Sequence, residues 1–286
     1  MSAIVEARNL SKHYGGFTAL DSVDLQIPTG SISGLIGPNG AGKTTTLKAL
    51  IGLCDVEGEL IVAGRDPRQA RHRLMRDVCF IADVGILPKW MRVKQALDFV
   101  ESVHPHFDRK RAERFLSSTE IPAKKRIKEL SKGMVTQLHL ALVMAIDVKL
   151  LVLDEPTLGL DILYRKQFYD RLLNDYYDGQ RTIIISTHQV EEIEDLLSHL
   201  IFIDRGKIVL DQLMSQLSEN YVELIVDAES RNAAEALQPI YRRVQLGKQC
   251  FTYEGVPREE LSKLGETLTP SVADLFVAKM RGGHHE

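Results

Sequence analysis

The apolar positions of this chain change period several times, and each change predicts an element. From Ile4 to Leu10, and again from Ser22 to Ile27, apolar and polar residues alternate as in half-buried antiparallel strands. Ser31 to Ile36 reads as a buried strand feeding the glycine-rich segment Gly37–Gly42. A helix is predicted from Lys43 to about Leu53, and Val78 to Ala82 is another buried strand. Between Asp83 and Glu129 the period becomes helical, most clearly over Val93–Val103 and Arg109–Ser117. Ser131 to Ile146 is a long helix, Leu150 to Leu153 a central strand, Ile162 to Tyr176 a helix, and Thr182 to Ser186 a β-branched strand.

Leu200–Ile203 and Ile208–Leu210 form a hairpin, with Gly206 supplying the turn. Beyond Gln212 the signals weaken. Tyr221–Val226, Tyr241–Leu246 and Gln249–Tyr253 read as strands, and Ala233–Leu237 and Ser271–Met280 as helices. The expected fold is α/β: a P-loop core with an antiparallel β subdomain, an inserted helical subdomain over 83–129, and a small C-terminal α+β domain. The main domain covers 1–211 and the accessory one 212–286. The whole unit is not repeated, so one chain supplies one copy.

Composition narrows the functional classes. A net charge of -3 over 286 residues gives no electrostatic case for nucleic acid, and none is expected as a partner. Cys54, Cys79 and Cys250 lack metal-type spacing and suit a reduced compartment. The first residues hold no apolar run long enough for a signal peptide. A membrane helix needs about 20 apolar residues, and the most apolar stretch, Leu138–Leu153, is broken by His139, Asp147 and Lys149. If this protein works at a membrane, it does so as a guest of another chain.

The candidate chemistry begins at Gly37-Pro38-Asn39-Gly40-Ala41-Gly42-Lys43-Thr44, which fits G-x-x-x-x-G-K-[ST] between a strand and a helix. The glycines let successive N–H groups point at phosphate oxygens, and the helix adds its positive end. Lys43 would reach the β- and γ-phosphates, Thr44 would bind Mg²⁺, and Thr45 continues the cradle. Asp154 closes an apolar strand, at the sheet edge where ligands bind, and can support the Mg²⁺ shell. Glu155 is suited to orienting or deprotonating the attacking water. His188, after the strand TIIIS, is placed to hydrogen-bond the γ-phosphate, and Tyr14 to stack on adenine. The basic run Lys124–Lys128 reads as a solvated face, and His104 and His106 show no ligand set.

Together these motifs resemble the ATPase subunit of an ABC (ATP-binding cassette) transporter, over about residues 3–211. By resemblance, 37–44 is the Walker A loop, Leu150–Glu155 the Walker B strand with its catalytic base, and Leu158-Gly159-Leu160-Asp161 the D-loop. Tyr14 is the adenine-stacking aromatic and His188 the switch histidine. Leu130-Ser131-Lys132-Gly133-Met134 stands where the family has LSGGQ. It keeps the phosphate-facing Ser131 and Gly133 while Lys132 and Met134 replace Gly and Gln.

The resemblance implies a head-to-tail homodimer. Each ATP would lie between one chain's Walker A loop and the other's Ser131 and Gly133, with Asp161 nearby. It also implies a separate membrane subunit, in two copies, and a place on the cytoplasmic face of the membrane. Asp83 stands where the family has a glutamine, in the Mg²⁺ shell with Thr44 and Asp154; it is shorter, charged and cannot donate. The variant LSKGM resembles exporters whose ATPase and membrane parts are separate chains. Trp90, in the apolar-aromatic segment Ile86–Met91, reads either as a docking residue for that subunit or as an anchor of the helical block. The alternative function is a soluble ABC ATPase with a non-transport or regulatory role.

Overall fold

The computed structural model describes residues 2–82, 87–245 and 247–282. Two long strands open the chain, β1 (Ala3–Tyr14) and β2 (Phe17–Pro28), followed by β3 (Ile32–Ile36) and helix α1 (Lys43–Leu50). Then come β4 (Glu57–Val62), α2 (Pro67–Leu74), β5 (Val78–Ile81), α3 (Val93–Val103), α4 (Arg109–Ser117), α5 (Lys132–Met144) and β6 (Leu150–Asp154). Helix α6 (Ile162–Arg171) runs on as a π-helical turn to Tyr176, before β7 (Thr182–Thr187), β8 (His199–Asp204) and β9 (Lys207–Leu213). The last part holds α7 (Leu217–Asn220), β10 (Tyr221–Val226), α8 (Arg231–Ala236), β11 (Tyr241–Gln245), β12 (Lys248–Glu254), α9 (Arg258–Leu261), β13 (Glu266–Leu268) and α10 (Val272–Gly282).

Among the described residues three sheets result. An antiparallel sheet has the order β2-β1-β4, and a six-stranded sheet the order β5-β6-β7-β3-β8-β9, parallel except for β9. A four-stranded antiparallel sheet, β11-β12-β10-β13, closes the chain. The sequence pattern follows from these positions. Every residue of β3, β6 and β7 is buried, as parallel strands covered on both faces require, so they read as unbroken apolar runs. Strand β1 alternates because one face meets solvent.

Asp108, Ser131 and Asp161 cap α4, α5 and α6, each accepting a bond from a backbone N–H of the first turn. Burial pushes the Cys79 thiol up to about 12, consistent with a packing role.

Strand β4 and helix α2 are additional to the sequence reading. β4 completes the first sheet by pairing with β1 (Val5 with Val62, Ala7 with Leu60). The helix predicted through Tyr176 instead changes to a π-turn after Arg171. The C-terminal sheet has its own cluster around Leu224, Phe251 and Tyr253, whereas Val272 and Leu275 of α10 join the cluster beneath the parallel sheet. There Phe276 meets Phe202 edge-on, with centroids 5.2 Å apart, and Glu194 Oε1 accepts a 2.9 Å bond from the Val272 N–H.

Candidate active site

Register alone brings the candidate residues together. β3 pairs with β7 so that Ile36 faces Thr187, and β6 pairs with β7 so that Asp154 faces Ser186. The glycine-rich loop after β3, Glu155 after β6 and His188 after β7 therefore leave the same edge of the sheet. This is the edge where open α/β sheets bind ligands.

The loop is shaped by backbone that side chains would obstruct. Gly42 has φ 113, and an added Cβ would lie 2.8 Å from the Ala19 carbonyl. A Cβ on Gly37 would come within 2.3 Å of the Ile203 carbonyl. Lys43 is buried, yet its ammonium is satisfied by the chain itself. It donates to the carbonyls of Gly37 at 2.6 Å and Pro38 at 3.3 Å, and stands 3.5 Å from Glu155 Oε1. A buried charge needs such partners, and phosphate oxygens would compete for them.

Beside it, Thr44 Oγ1 donates to Asp154 Oδ2 at 2.9 Å, while Ser186 Oγ donates to Oδ1. Glu155 has a left-handed backbone (φ 47), and its N–H bonds the Ser186 carbonyl at 3.1 Å. Its carboxylate lies 2.9 and 3.0 Å from His188 Nδ1. An ionised carboxylate only accepts, so Nδ1 carries the hydrogen in that contact.

A cavity of about 530 Å³ opens over these groups, and Pro38, Asn39, Gly40, Gly42, Lys43, Thr44 and Thr45 form one wall. Asp154, Glu155 and His188 line it too, with Phe17, Ala19 and Leu158. Phe17 was not singled out from sequence; it pairs with Tyr14 across the β1–β2 hairpin and is exposed in the cavity wall. Tyr14 is exposed on β1, with Lys12 Nζ 5.0 Å from its ring centre. Ala41 is buried and accepts a bond from the Gly206 N–H at 2.9 Å.

Ser131, Gly133 and Asp161 are outside this cavity. Ser131 Oγ accepts from the Met134 N–H at 3.2 Å, Asp161 Oδ1 from the Tyr164 N–H at 3.1 Å, and a Cβ on Gly133 would meet open space. Asp83 lies outside the described residues, as do Ile86 and Leu246. Trp90 is 68% exposed, which removes the anchor reading for it; Phe99 and Val103, one turn apart on α3, are also exposed.

The donor set fits a Mg²⁺ ion. Among the described residues no cluster of three or more His, Cys, Asp or Glu could hold a metal. Mg²⁺ with a nucleotide uses one or two protein oxygens, phosphates and water. Thr44 and Asp154, already in contact, supply the protein oxygens.

A family model described as ABC transporter matches residues 20–158. The Nod factor export ATP-binding protein I of Cupriavidus metallidurans is 32% identical, over 92% of this chain and 90% of that protein. The sulfate/thiosulfate import ATP-binding protein CysA of Neisseria meningitidis is also 32% identical, over 71% of this chain and 60% of that protein. A solved ATP-binding subunit of an ABC transporter superposes with a TM-score of 0.69 at 22% identity, covering 76% of this chain and 92% of its own. The chain therefore belongs to the family of ABC transporter ATP-binding proteins, and its fold is that of their cassette.

Proposed function

We propose that this chain binds ATP with Mg²⁺ and hydrolyses it in a head-to-tail homodimer, driving a separate membrane subunit that exports its cargo. The observation that carries the reading is the Glu155 carboxylate, held by His188 and beside Lys43, next to the Thr44–Asp154 pair. Lys43 leaves the Gly37 and Pro38 carbonyls for the β- and γ-phosphate oxygens, exchanging neutral acceptors for charged ones. Loop N–H groups and the start of α1 hold the remaining phosphate charge. Thr44 and Asp154 would hold Mg²⁺, which neutralises developing phosphate charge when bound.

Glu155 takes a proton from, or orients, the attacking water, and His188 keeps that carboxylate aimed. Ser131 and Gly133 of a second copy would close the γ-phosphate side, since neither lines its own chain's cavity. Among the described residues no helix is long and apolar enough to cross a membrane, and we assign translocation to a separate membrane subunit. Exposed Trp90, Phe99 and Val103 are the docking side chains we assign to it. That placement puts the protein on the cytoplasmic face of the membrane.

The export direction is supported by an export relative that aligns across nearly the whole of both chains, against partial coverage for the import relative. We also read 1–211 as the nucleotide-binding domain, with 83–129 its helical insertion, and 212–286 as an accessory domain. The direct test is steady-state ATPase activity of the wild type and Glu155→Gln. Loss of about 10²-fold or more in turnover with ATP affinity retained is expected for a missing general base. An unchanged rate refutes the role of Glu155. Direction is tested by reconstituting the chain with its co-purifying membrane subunit and following cargo across vesicles.

A further inference from the structure

Glu155 and His188 sit on two separate loops, and their contact needs both loops held in place. Residue 155 has φ 47, a region that costs a non-glycine residue free energy and persists only where the surroundings over-determine it. Its own hydrogen bonds to Ser186 fix the start of the first loop. The end of that loop is fixed elsewhere. Arg165, on the first turn of α6, donates through Nε to the Leu160 carbonyl at 2.8 Å. Its Nη1 donates to Gln189 Oε1 at 2.7 Å and to Glu192 Oε1. Gln189 follows His188 directly, and its N–H bonds Thr187 Oγ1 at 2.9 Å. Thr157 closes the ring, contacting Tyr169 OH at 3.3 Å and donating to Glu192 Oε2 at 3.5 Å.

From this arrangement we infer that Arg165 is a positioning residue for hydrolysis: it ties the loop that carries Glu155 to the loop that carries His188. The inference rests on the proposed ATPase reading. One planar guanidinium spans three acceptors on two loops, a geometry a lysine ammonium cannot reproduce. Arg165 is half-buried and does not line the ATP cavity, so it acts through the pair and touches no substrate.

The test uses the full chain, with Arg165→Ala and Arg165→Lys, each alone and combined with His188→Ala. Wild-type ATPase activity is measured first; if it is absent, the ATPase reading fails and this inference falls with it. Given wild-type turnover, Arg165→Ala is expected to lower kcat roughly tenfold or more. KM for ATP, ATP affinity and melting temperature should stay close to wild type. Arg165→Lys should recover only part of kcat. In the His188→Ala background, Arg165→Ala should have little further effect on single-turnover hydrolysis, because the pair it serves is already broken. An unchanged kcat in Arg165→Ala, or a full additional loss in the double variant, overturns the inference. If Arg165→Ala melts well below wild type, the Arg165→Lys comparison decides: full activity in a stable Arg165→Lys protein overturns it as well.

Discussion

The two halves of the proposed phosphate site are built in opposite ways. Lys43 and Asp154 are buried, Lys43 is bonded to the Gly37 and Pro38 carbonyls, and the Asp154 carboxylate accepts from Thr44 and Ser186. Ser131 is exposed, and the space beside Gly133 is open. The first half is a finished cradle, pre-organised so that phosphate merely replaces existing acceptors. The second is an exposed helix start, whose cap hydroxyl accepts from the Met134 N–H of its own first turn and whose Gly133 faces open space. The proposed head-to-tail pairing would bring the open surface of one copy to the finished cradle of the other.

The contrast can be broken at either half. Lys43→Ala strikes the complete half and should weaken ATP binding about 100-fold, since a charge-assisted contact is worth roughly 3 kcal/mol. Unchanged affinity in a nucleotide titration would contradict the cradle. Ser131→Arg strikes the open half. It should cut turnover at least tenfold while leaving ATP affinity of the isolated chain intact, because an exposed cap residue costs only about 1 kcal/mol of stability. Mixing Ser131→Arg with Lys43→Ala places both defects in one of two shared sites, so activity should partly return. If mixing restores nothing, the sites are not shared in that way.

Smaller effects separate the two aromatics of the β1–β2 hairpin. Stacking is worth roughly 1 kcal/mol, about fivefold in affinity. Phe17→Ala should show it if the cavity wall receives the base, and Tyr14→Ala if the family position does; wild-type affinity in both variants would mean that neither stacks. The smallest effect expected is Trp90→Ala on stability. At 68% exposure stability should change by no more than about 0.5 kcal/mol and the melting temperature barely move, while pull-down of the membrane subunit weakens. A large drop in melting temperature would restore Trp90 as an anchor.

The central strands and the phosphate loop were legible because their constraints are local: buried parallel strands are apolar runs, and the cradle needs glycine and lysine at set spacing. Strand β4 was not, since Glu57–Val62 offers only two buried residues and owes its conformation to pairing with β1. Helix α2 was hidden for a similar reason: in PRQARHRL only Pro67 and Leu74 are buried. Of the site, Lys43, Thr44, Asp154, Glu155 and His188 were readable, and the fold gathers them around one cavity. Phe17 and Arg165 belong to no motif. Their positions come from a hairpin register and from two loops meeting, neither of which one-dimensional spacing encodes.

The last helix has a consequence for any attempt to shorten this chain. Leu217, Tyr221, Val272 and Leu275 share one hydrophobic cluster with Phe202 and Leu210. A fragment stopped after Leu213 would leave that face bare, and should aggregate rather than yield a smaller working cassette. Even Leu275→Ala, within the intact chain, should cost about 2–5 kcal/mol. Conversely, a protease nick between β13 and α10 should leave the pieces associated, eluting together until denaturant parts them. The C-terminal helix is late in the chain but early in the order of what must be kept.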